Sequence, residues 1–316
     1  MRPLSVFTLA NSGQFSGALG PATIFWASLG LALAGLGTSE ARADAPCAVD
    51  DTDREVCLAA PAQRIATLSP GATELVYAAG AGNQVVAVVA FSDYPPEARD
   101  VASVGNLGRI DLERLVTLQP DLVIGWVTGN PSEQLETIEA LGIPVFYIEP
   151  RDIEGVASAI ERLAQLAGSE EEGYRVADDF RDGMAELAAR YAEAEPVSVF
   201  YQVWDEPLMS VNDDHLIGQM VALCGGVNVF GALPRLVPRL DDEAILAADP
   251  EVIAAGGMGE ENRDWLTHWE QYPSLTAVER DNLFFVPPSL IQRPTPRLLE
   301  GTRILCEKLE VARGRR

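Results

Sequence analysis

The chain has 316 residues, 47% of them hydrophobic, so it is long enough to fold as two domains and too apolar to be disordered. Its formal charge of -24 at pH 7 is not offset by any basic stripe, which argues against nucleic acid and anionic membranes as partners. Arg2, an uncharged apolar run at 22–36 and the cleavage pattern Ala41-Arg42-Ala43 indicate export. We therefore expect 1–43 to be a signal peptide. A membrane anchor, the competing interpretation, needs a run of about 20 residues.

In the first half of the expected mature chain, apolar strands alternate with helices. Arg64 to Leu68 is predicted as a buried strand, which Ser69-Pro70-Gly71 turns into a helix. This alternation is typical of a mainly parallel sheet with helices on both faces. The remaining strands are predicted at 85–90, 122–126 and 144–148, and the helices at 72–79, 111–118, 132–141 and 152–166.

One long helix is predicted from Ser169 to Glu195. Ser169 and Glu172 have the spacing of a capping box, and the acidic first turn suits the helix dipole. About 27 residues at 1.5 Å each would extend roughly 40 Å, long enough to run beside two small lobes. Pro196 ends the helix. An apolar stripe runs along it at three- and four-residue spacing: Val176, Phe180, Met184, Leu187 and Tyr191.

After this helix the pattern returns, with strands predicted at 197–203, 252–255 and 283–286 and helices at 214–223, 241–248 and 297–311. The chain is therefore predicted to be an α/β protein with two Rossmann-like lobes, joined by a single long backbone helix, with a ligand cleft between the lobes. The expected boundaries are 44–168 for the first lobe, 169–195 for the linking helix and 196–316 for the second lobe.

The 4 cysteines all follow the expected signal peptide, in a compartment where disulfides persist. They allow three pairings. Cys47 and Cys57 are close enough in sequence to close a small N-terminal loop, and Cys224 and Cys306 would then join two helices of the second lobe. A metal site is the alternative, which the lack of a C-x-x-C pair disfavours.

A short internal repeat relates the two predicted lobes. Residues 113–124 and 243–254 share a glutamate, an aliphatic pair, a proline seven residues on, an acid and an aliphatic strand. The repeat places Glu113 and Glu243 at equivalent helix starts, one in each lobe. Alternatively, each glutamate is an ordinary first-turn acid favoured by the helix dipole.

The sequence contains few signals of catalysis. It has no nucleophile elbow, P-loop or zinc-protease motif, so we expect no enzyme activity, no cofactor and no metal site. The two histidines, His215 and His268, cannot supply a three-histidine zinc site. Because His215 follows two aspartates at a helix start, a surface or capping role is favoured over metal ligation.

Large side chains follow several predicted strands. Pro70, Phe91, Trp126 and Trp204 lie in loops of the kind where open α/β sheets bind ligands. Each could instead belong to a core. In two lobes that share a cleft, they suit a broad, flat ligand held by stacking and apolar contacts.

A family resemblance rests on four segments: RIATLSPGATELVYAAGAG, FSDYPPEA, LERLVTLQPDLVIGW and ALCGGVNVF. They resemble the periplasmic vitamin B12-binding proteins of ABC importers, within the wider group of helical-backbone receptors for metal chelates. The resemblance covers nearly the whole mature chain. It implies a rigid linking helix, little hinge motion and a disulfide matching Cys224 and Cys306. It also implies that Glu113 and Glu243 salt-bridge arginines of the membrane permease dimer.

The resemblance further implies a set of ligand-binding residues, which this sequence matches in part. Trp126 and Arg293 are retained, and Trp204 is expected to compensate for lost aromatic groups from the second lobe. The replaced positions are Phe91 for a tyrosine, Leu107 and Val237 for tryptophans, and Ser289 for an aspartate.

The sequence therefore predicts a monomeric periplasmic receptor that captures cobalamin or a related corrinoid and delivers it to an ABC permease. Phe91, Trp126 and Trp204 would form flat walls beside Pro70, and Arg293 would make a polar contact.

Two alternatives remain open. The first is a haem or ferric-siderophore receptor of the same fold. Haem would favour a histidine or tyrosine as axial ligand, and His215 is one candidate. The second is an exported chelatase-like enzyme, which the scarcity of histidines and of nucleophile-base pairs disfavours. Anionic siderophores need cleft arginines, for which the candidates are Arg109, Arg235, Arg239 and Arg293.

Overall fold

A computed structural model describes residues 45–316 except residue 258. The signal peptide predicted at 1–43, and the membrane anchor that competes with it, lie outside these residues. Within the described part of the chain, no helix is both long and apolar enough to span a membrane.

The strands of the described chain are short, and most helices cover them. The strands are β1 (Cys47–Val49), β2 (Glu55–Cys57), β3 (Ile65–Thr67), β4 (Val85–Ala87), β5 (Gly105–Asn106), β6 (Arg109–Ile110), β7 (Leu122–Trp126), β8 (Val145–Ile148), β9 (Val197–Gln202), β10 (Gly226–Asn228), β11 (Val252–Ala255) and β12 (Leu283–Phe285). The helices are α1 (Pro70–Ala78), α2 (Leu112–Thr117), α3 (Ser132–Ala140), α4 (Ile153–Ala167), α5 (Glu170–Tyr191), α6 (Leu216–Leu223), α7 (Asp242–Ala248), α8 (Asp264–Thr267), α9 (Thr276–Glu279), α10 (Pro288–Ile291) and α11 (Leu298–Arg313).

Each half of the described chain contains a four-stranded parallel sheet. The first has the order β4-β3-β7-β8 and the second has the order β10-β9-β11-β12. All neighbouring pairs in both sheets are parallel. The predicted α/β architecture with two Rossmann-like lobes is therefore confirmed. Strand β10 was not predicted because it offers a single apolar side chain, Val227, which is 54% exposed.

Burial on both faces explains why the central strands are apolar along their whole length. In β7, Leu122, Val123 and Ile124 are at most 1% exposed, and in β9 Phe200 and Tyr201 are fully buried. The carboxyl ends of these strands carry the side chains of the candidate site.

Helix α5 joins the lobes, and its apolar stripe packs as predicted. Phe180, Met184 and Leu187 are buried in one apolar cluster that includes side chains from both sheets. The helix has 22 residues, shorter than the predicted span, and extends roughly 33 Å. It ends before Glu193 and Glu195 because acidic residues are unfavourable at the negative end of a helix dipole.

The start of α5 corrects the predicted capping box. The Ser169 hydroxyl does not accept a hydrogen bond from the first turn of the helix. It donates instead to the Ala79 carbonyl at 2.6 Å, at the end of α1. Ser169 therefore ties α5 to the first lobe and does not cap it.

Both predicted disulfides are present, so the alternative of a cysteine metal site is wrong. Cys47 and Cys57 pair across the β1-β2 hairpin. Cys224, at the end of α6, is bonded to Cys306 in α11, and both cysteines are fully buried. The second bond joins two helices that are far apart in sequence.

Removing the Cys224–Cys306 bond is expected to lower the free energy of unfolding by about 4 kcal/mol, because it closes a loop with a sequence separation of 82 residues. Guanidinium unfolding of C224A/C306A would measure the loss. The matched control is C47A/C57A, whose loop spans 10 residues and whose loss should be about 3 kcal/mol. A larger loss in the control would contradict this loop-entropy argument.

Candidate ligand-binding cleft

A cleft with a volume of about 600 Å³ lies between the two lobes. The first lobe forms one wall with the carboxyl ends of its strands and the start of α1, where open α/β sheets bind ligands. The second lobe forms the other wall with the start of α6 and the loops that follow β11 and β12. The lining includes Ser69, Pro70, Phe91, Leu107, Trp126, Ile148 and Glu149 from the first lobe and His215, Leu216, Gly257, Glu260, Ser289, Gln292 and Arg293 from the second.

The structure brings four of the predicted ligand-binding residues together in this cleft. Pro70, Phe91, Trp126 and Arg293 all line it. Phe91 is 79% exposed, and its backbone is left-handed with a φ of 67°, so its ring is presented to solvent at the cleft. An exposed ring of this kind is available for stacking on a ligand.

Trp126 is positioned by the turn that follows β7. Its backbone N–H donates to the Asn130 side chain at 2.8 Å, and Asn130 donates in turn to the Leu68 carbonyl at 2.9 Å. The indole packs against the backbone of Gly129, where a Cβ atom would lie 1.9 Å from the ring. A side chain at position 129 would therefore displace the Trp126 ring.

Trp204 is the predicted ligand-binding residue that does not line this cleft. It is 43% exposed, packs edge-on against Trp265 with ring centres 6.0 Å apart, and donates from Nε1 to the Glu206 carbonyl at 3.1 Å. A contact between Trp204 and a ligand stays a prediction. Val237, which replaces one of the family's tryptophans, is also absent from the lining, whereas Leu107 is part of it.

Arg293 belongs to an ion-pair network that connects the two lobes. Its Nη1 donates to Glu74 at 2.8 Å and to Asp93 at 3.1 Å. Arg297 donates to the same Glu74 oxygen at 3.3 Å, and the Thr295 hydroxyl donates to the other oxygen at 2.9 Å. Burial alone would lower the pKa of Arg293, but its bonds to Glu74 and Asp93 raise it, so the guanidinium stays charged.

Sequence reasoning missed Glu74, the centre of this network. Glu74 is in α1, follows Thr73, and is 3% exposed, which is rare for a carboxylate unless it is paired. The sequence contained one signal of this role. Glu74 directly precedes the apolar pair Leu75 and Val76 in a predicted helix, where a solvent-exposed acid is unexpected.

Ser289, which stands where the family resemblance implies an aspartate, is bonded to a carboxylate. Its hydroxyl donates to Glu260 Oε2 at 2.8 Å and accepts from Arg297 Nη2 at 3.0 Å. Glu260 also lines the cleft. A carboxylate therefore reaches this wall from a different loop, which the sequence could not reveal.

The charged groups that line the cleft are mostly acidic. Among the described residues they are Asp93, Glu149 and Glu260 against a single arginine, Arg293, which is already paired. Arg109, Arg235 and Arg239, the other arginines considered for an anionic ligand, do not line it. The cleft is therefore matched to a ligand without excess negative charge.

His215 caps α6, so the predicted capping role is confirmed, and it also lines the cleft. Its Nδ1 accepts a hydrogen bond from the Ile217 backbone N–H at 3.1 Å. Burial lowers the pKa of His215 to about 4, so the ring is neutral at pH 7. In the described part of the chain, no cluster of three or more histidine, cysteine or acidic side chains is arranged to hold a metal ion.

The internal repeat forms two equivalent surface helices. Asp111 caps α2 and Asp241 caps α7, accepting from backbone N–H groups at 3.0 and 2.9 Å. Glu113 and Glu243 each occupy the second helical position and are exposed. Each unit also ends alike, with a left-handed non-glycine residue before its proline: Gln119 (φ 47°) and Asp249 (φ 41°).

Two α/β lobes, a helix that joins them and a cleft between them define a bilobal ligand-binding protein. The chain belongs to the periplasmic binding protein family, whose sequence pattern matches residues 65–290. It is 36% identical over 256 residues to the vitamin B12-binding protein of Vibrio campbellii, an alignment that covers 81% of this chain and 92% of that one.

Solved structures place the fold in the same group. The periplasmic vitamin B12 binding protein BtuF of Vibrio cholerae is 33% identical, with a TM-score of 0.73 over 80% of this chain and 98% of that one. The periplasmic heme-binding protein RhuT from Roseiflexus has a TM-score of 0.70, covering 79% of this chain and 99% of that one. At 24% identity, the likeness to RhuT shows the fold alone.

Proposed function

We propose that this protein captures cobalamin or a related corrinoid between its lobes and delivers it to an ABC transporter. The observation that carries the proposal is the composition of the cleft, where an exposed Phe91 and a positioned Trp126 accompany an acidic set of charges. Corrinoids are broad, carry neutral amide side chains and have no excess negative charge. Aromatic walls and few free cations suit such a ligand.

The charge of the cleft favours a corrinoid over the two alternative chelates. Haem carries two carboxylates, and many ferric siderophores are anionic. Among the described residues that line the cleft, either ligand would meet Asp93, Glu149 and Glu260, with Arg293 as the single opposing charge. The names of the relatives at 33 to 36% identity, which are vitamin B12-binding proteins, support the same choice.

We propose that Glu113 and Glu243 dock the protein on the transporter when it delivers its ligand. They are exposed at equivalent positions of two repeated units, one per lobe, which suits a permease built from two similar subunits. Among the described residues neither glutamate has an ion-pair partner within 4 Å, so both carboxylates are available to arginines of a partner. Export through a signal peptide at 1–43, and lobe boundaries at 168 and 196, are part of the same proposal.

Isothermal titration calorimetry of residues 44–316 tests the ligand. Cyanocobalamin and dicyanocobinamide are expected to bind one to one, and haemin and an anionic ferric siderophore at least about 100-fold more weakly, because they lack a cationic counterpart in the cleft. Tighter binding of haemin or the siderophore than of either corrinoid would overturn the proposal.

Two tryptophan variants locate the binding site in the same assay. W126A removes a ring from the cleft wall and should weaken corrinoid binding about tenfold or more. W204A tests the separate prediction that Trp204 contacts the ligand: because that ring lies outside the lining of the cleft, an affinity within about twofold of the wild-type value would remove Trp204 from the binding site. The reverse order would move the site to the surface around Trp204.

A further inference from the structure

The two ring nitrogens of His215 have different hydrogen-bonding roles. Nδ1 accepts the Ile217 N–H at 3.1 Å and so closes the first turn of α6. An acceptor nitrogen carries a lone pair and no proton. In the neutral ring, the proton must therefore be on Nε2.

Nε2 is the ring nitrogen of His215 that remains available to a ligand in the cleft. Among the described residues, the bond at Nδ1 is the only hydrogen bond that the ring makes, and His215 is one of the residues that line the cleft. The ring is neutral at pH 7, since burial lowers the pKa of His215 to about 4. The second lobe thus presents a neutral N–H donor beside Leu216 at the cleft.

We propose that His215 is a specificity residue that donates its Nε2–H to a neutral carbonyl oxygen of the ligand, and that it does not ligate the metal of a chelate. The inference rests on the proposed function, because the amide side chains of a corrinoid supply such oxygens. The second lobe would then make a polar contact with the ligand through His215. This contact does not depend on Arg293, which is already paired.

Metal ligation through Nε2 conflicts with the cap. To bind a metal ion, Nε2 must expose its lone pair, and the proton of the neutral ring must then move to Nδ1. Nδ1–H would face the Ile217 N–H, so two donors would point at each other and the first turn of α6 would lose its acceptor. The geometry that makes His215 a cap therefore disfavours it as an axial ligand of haem or cobalt.

A neutral donor also fits the charges that line the cleft. The acidic groups that line the cleft, Asp93, Glu149 and Glu260, would repel a carboxylate or phosphate brought to this donor. An amide carbonyl brings no charge and still accepts the hydrogen bond. His215 should thus discriminate between amide-bearing and acid-bearing forms of one ligand.

The tautomer can be measured without a ligand. In residues 44–316 with 15N-labelled histidine, the variant H268Q leaves His215 as the single histidine. Long-range 1H–15N spectra at pH 7 should show the proton on Nε2, both alone and after addition of cyanocobalamin. A proton on Nδ1 in either state would overturn the inference, whatever the protein binds.

The affinity for cyanocobalamin tests whether His215 donates a hydrogen bond to the ligand. H215S keeps an oxygen that can cap α6 but cannot reach into the cleft, and we expect it to bind cyanocobalamin about tenfold more weakly, the effect of losing one hydrogen bond. H215N, which offers an acceptor for the cap and an N–H for the ligand, should recover part of that loss. Circular dichroism should show both variants folded. Unchanged affinity in H215S would overturn the inference.

Two further measurements separate this inference from the proposed function. Diaquacobinamide has exchangeable axial positions, so its visible spectrum would shift if His215 became a ligand of cobalt. We expect identical spectra on wild-type protein and on H215S, and a histidine-dependent shift would overturn the inference. If wild-type protein bound neither corrinoid, the proposed function would fail, and the tautomer spectra would still decide the state of His215.

Discussion

Replacing Glu74 by glutamine is expected to lower the free energy of unfolding by about 3 kcal/mol, because two arginines lose the carboxylate that they share. Glu74 is 3% exposed and bonds to Arg293 at 2.8 Å and to Arg297 at 3.3 Å. The arginine side chains are 21% and 23% exposed, so water partly screens them and the loss stays at the low end for buried pairs. Urea unfolding followed by circular dichroism measures it.

The matched control for this experiment is Glu172→Gln. Glu172 also bonds to an arginine, Arg175, at 2.7 Å, but the two side chains are 52% and 57% exposed. Water therefore replaces the lost partner, and the unfolding midpoint should not change measurably. If E74Q were as stable as E172Q, Asp93 alone would suffice as partner for Arg293, and the network would not hold the lobes together.

Reversing the charge of both surface glutamates, E113K with E243K, is expected to lower ligand-dependent transport at least about tenfold while leaving corrinoid affinity unchanged. Both carboxylates are exposed on α2 and α7, and lysines at these places would repel the permease arginines that the proposed docking requires. The measurements are ligand-stimulated ATPase activity with the reconstituted transporter and, separately, calorimetric affinity for cyanocobalamin.

Each single reversal should give an intermediate loss, because the other lobe would keep its proposed contact with the permease. E186K is the matched control for each single reversal, since Glu186 is an exposed glutamate on α5 and its reversal changes the net charge as much as E113K or E243K alone. Normal transport by the double variant would remove the docking role. A loss in E186K as large as in either single variant would assign the effect to overall charge instead.

Most helix starts and strands of this chain could be predicted from the sequence because residues close to them along the chain determine them. Asp111, Asp152 and Asp241 each accept a backbone N–H at the start of the helix that the sequence predicted there. Ser169 looks the same in sequence, yet its hydroxyl bonds to Ala79, which is distant along the chain. The hydrogen bond to Ala79 therefore replaces the helix cap that the local sequence predicts.

The candidate site was less predictable for the same reason. Trp126 is the last residue of β7 and Phe91 follows β4, so their positions in the cleft could be expected from topology. The carboxylate of Glu260, however, joins Ser289 across 29 residues, and Glu74 meets Arg293 across 219. Pairings at such separations are set by how two lobes meet, which no local pattern encodes.

The Glu74 network also limits how this receptor can be recombined with its relatives. Glu74 lies near the start of the described chain, whereas its partners Arg293 and Arg297 follow 219 and 223 residues later. A chimera with its junction in α5 would take the carboxylate from one parent and the guanidinium groups from the other. Exchanging lobes therefore preserves the network only if the second parent also supplies arginines at the positions of Arg293 and Arg297.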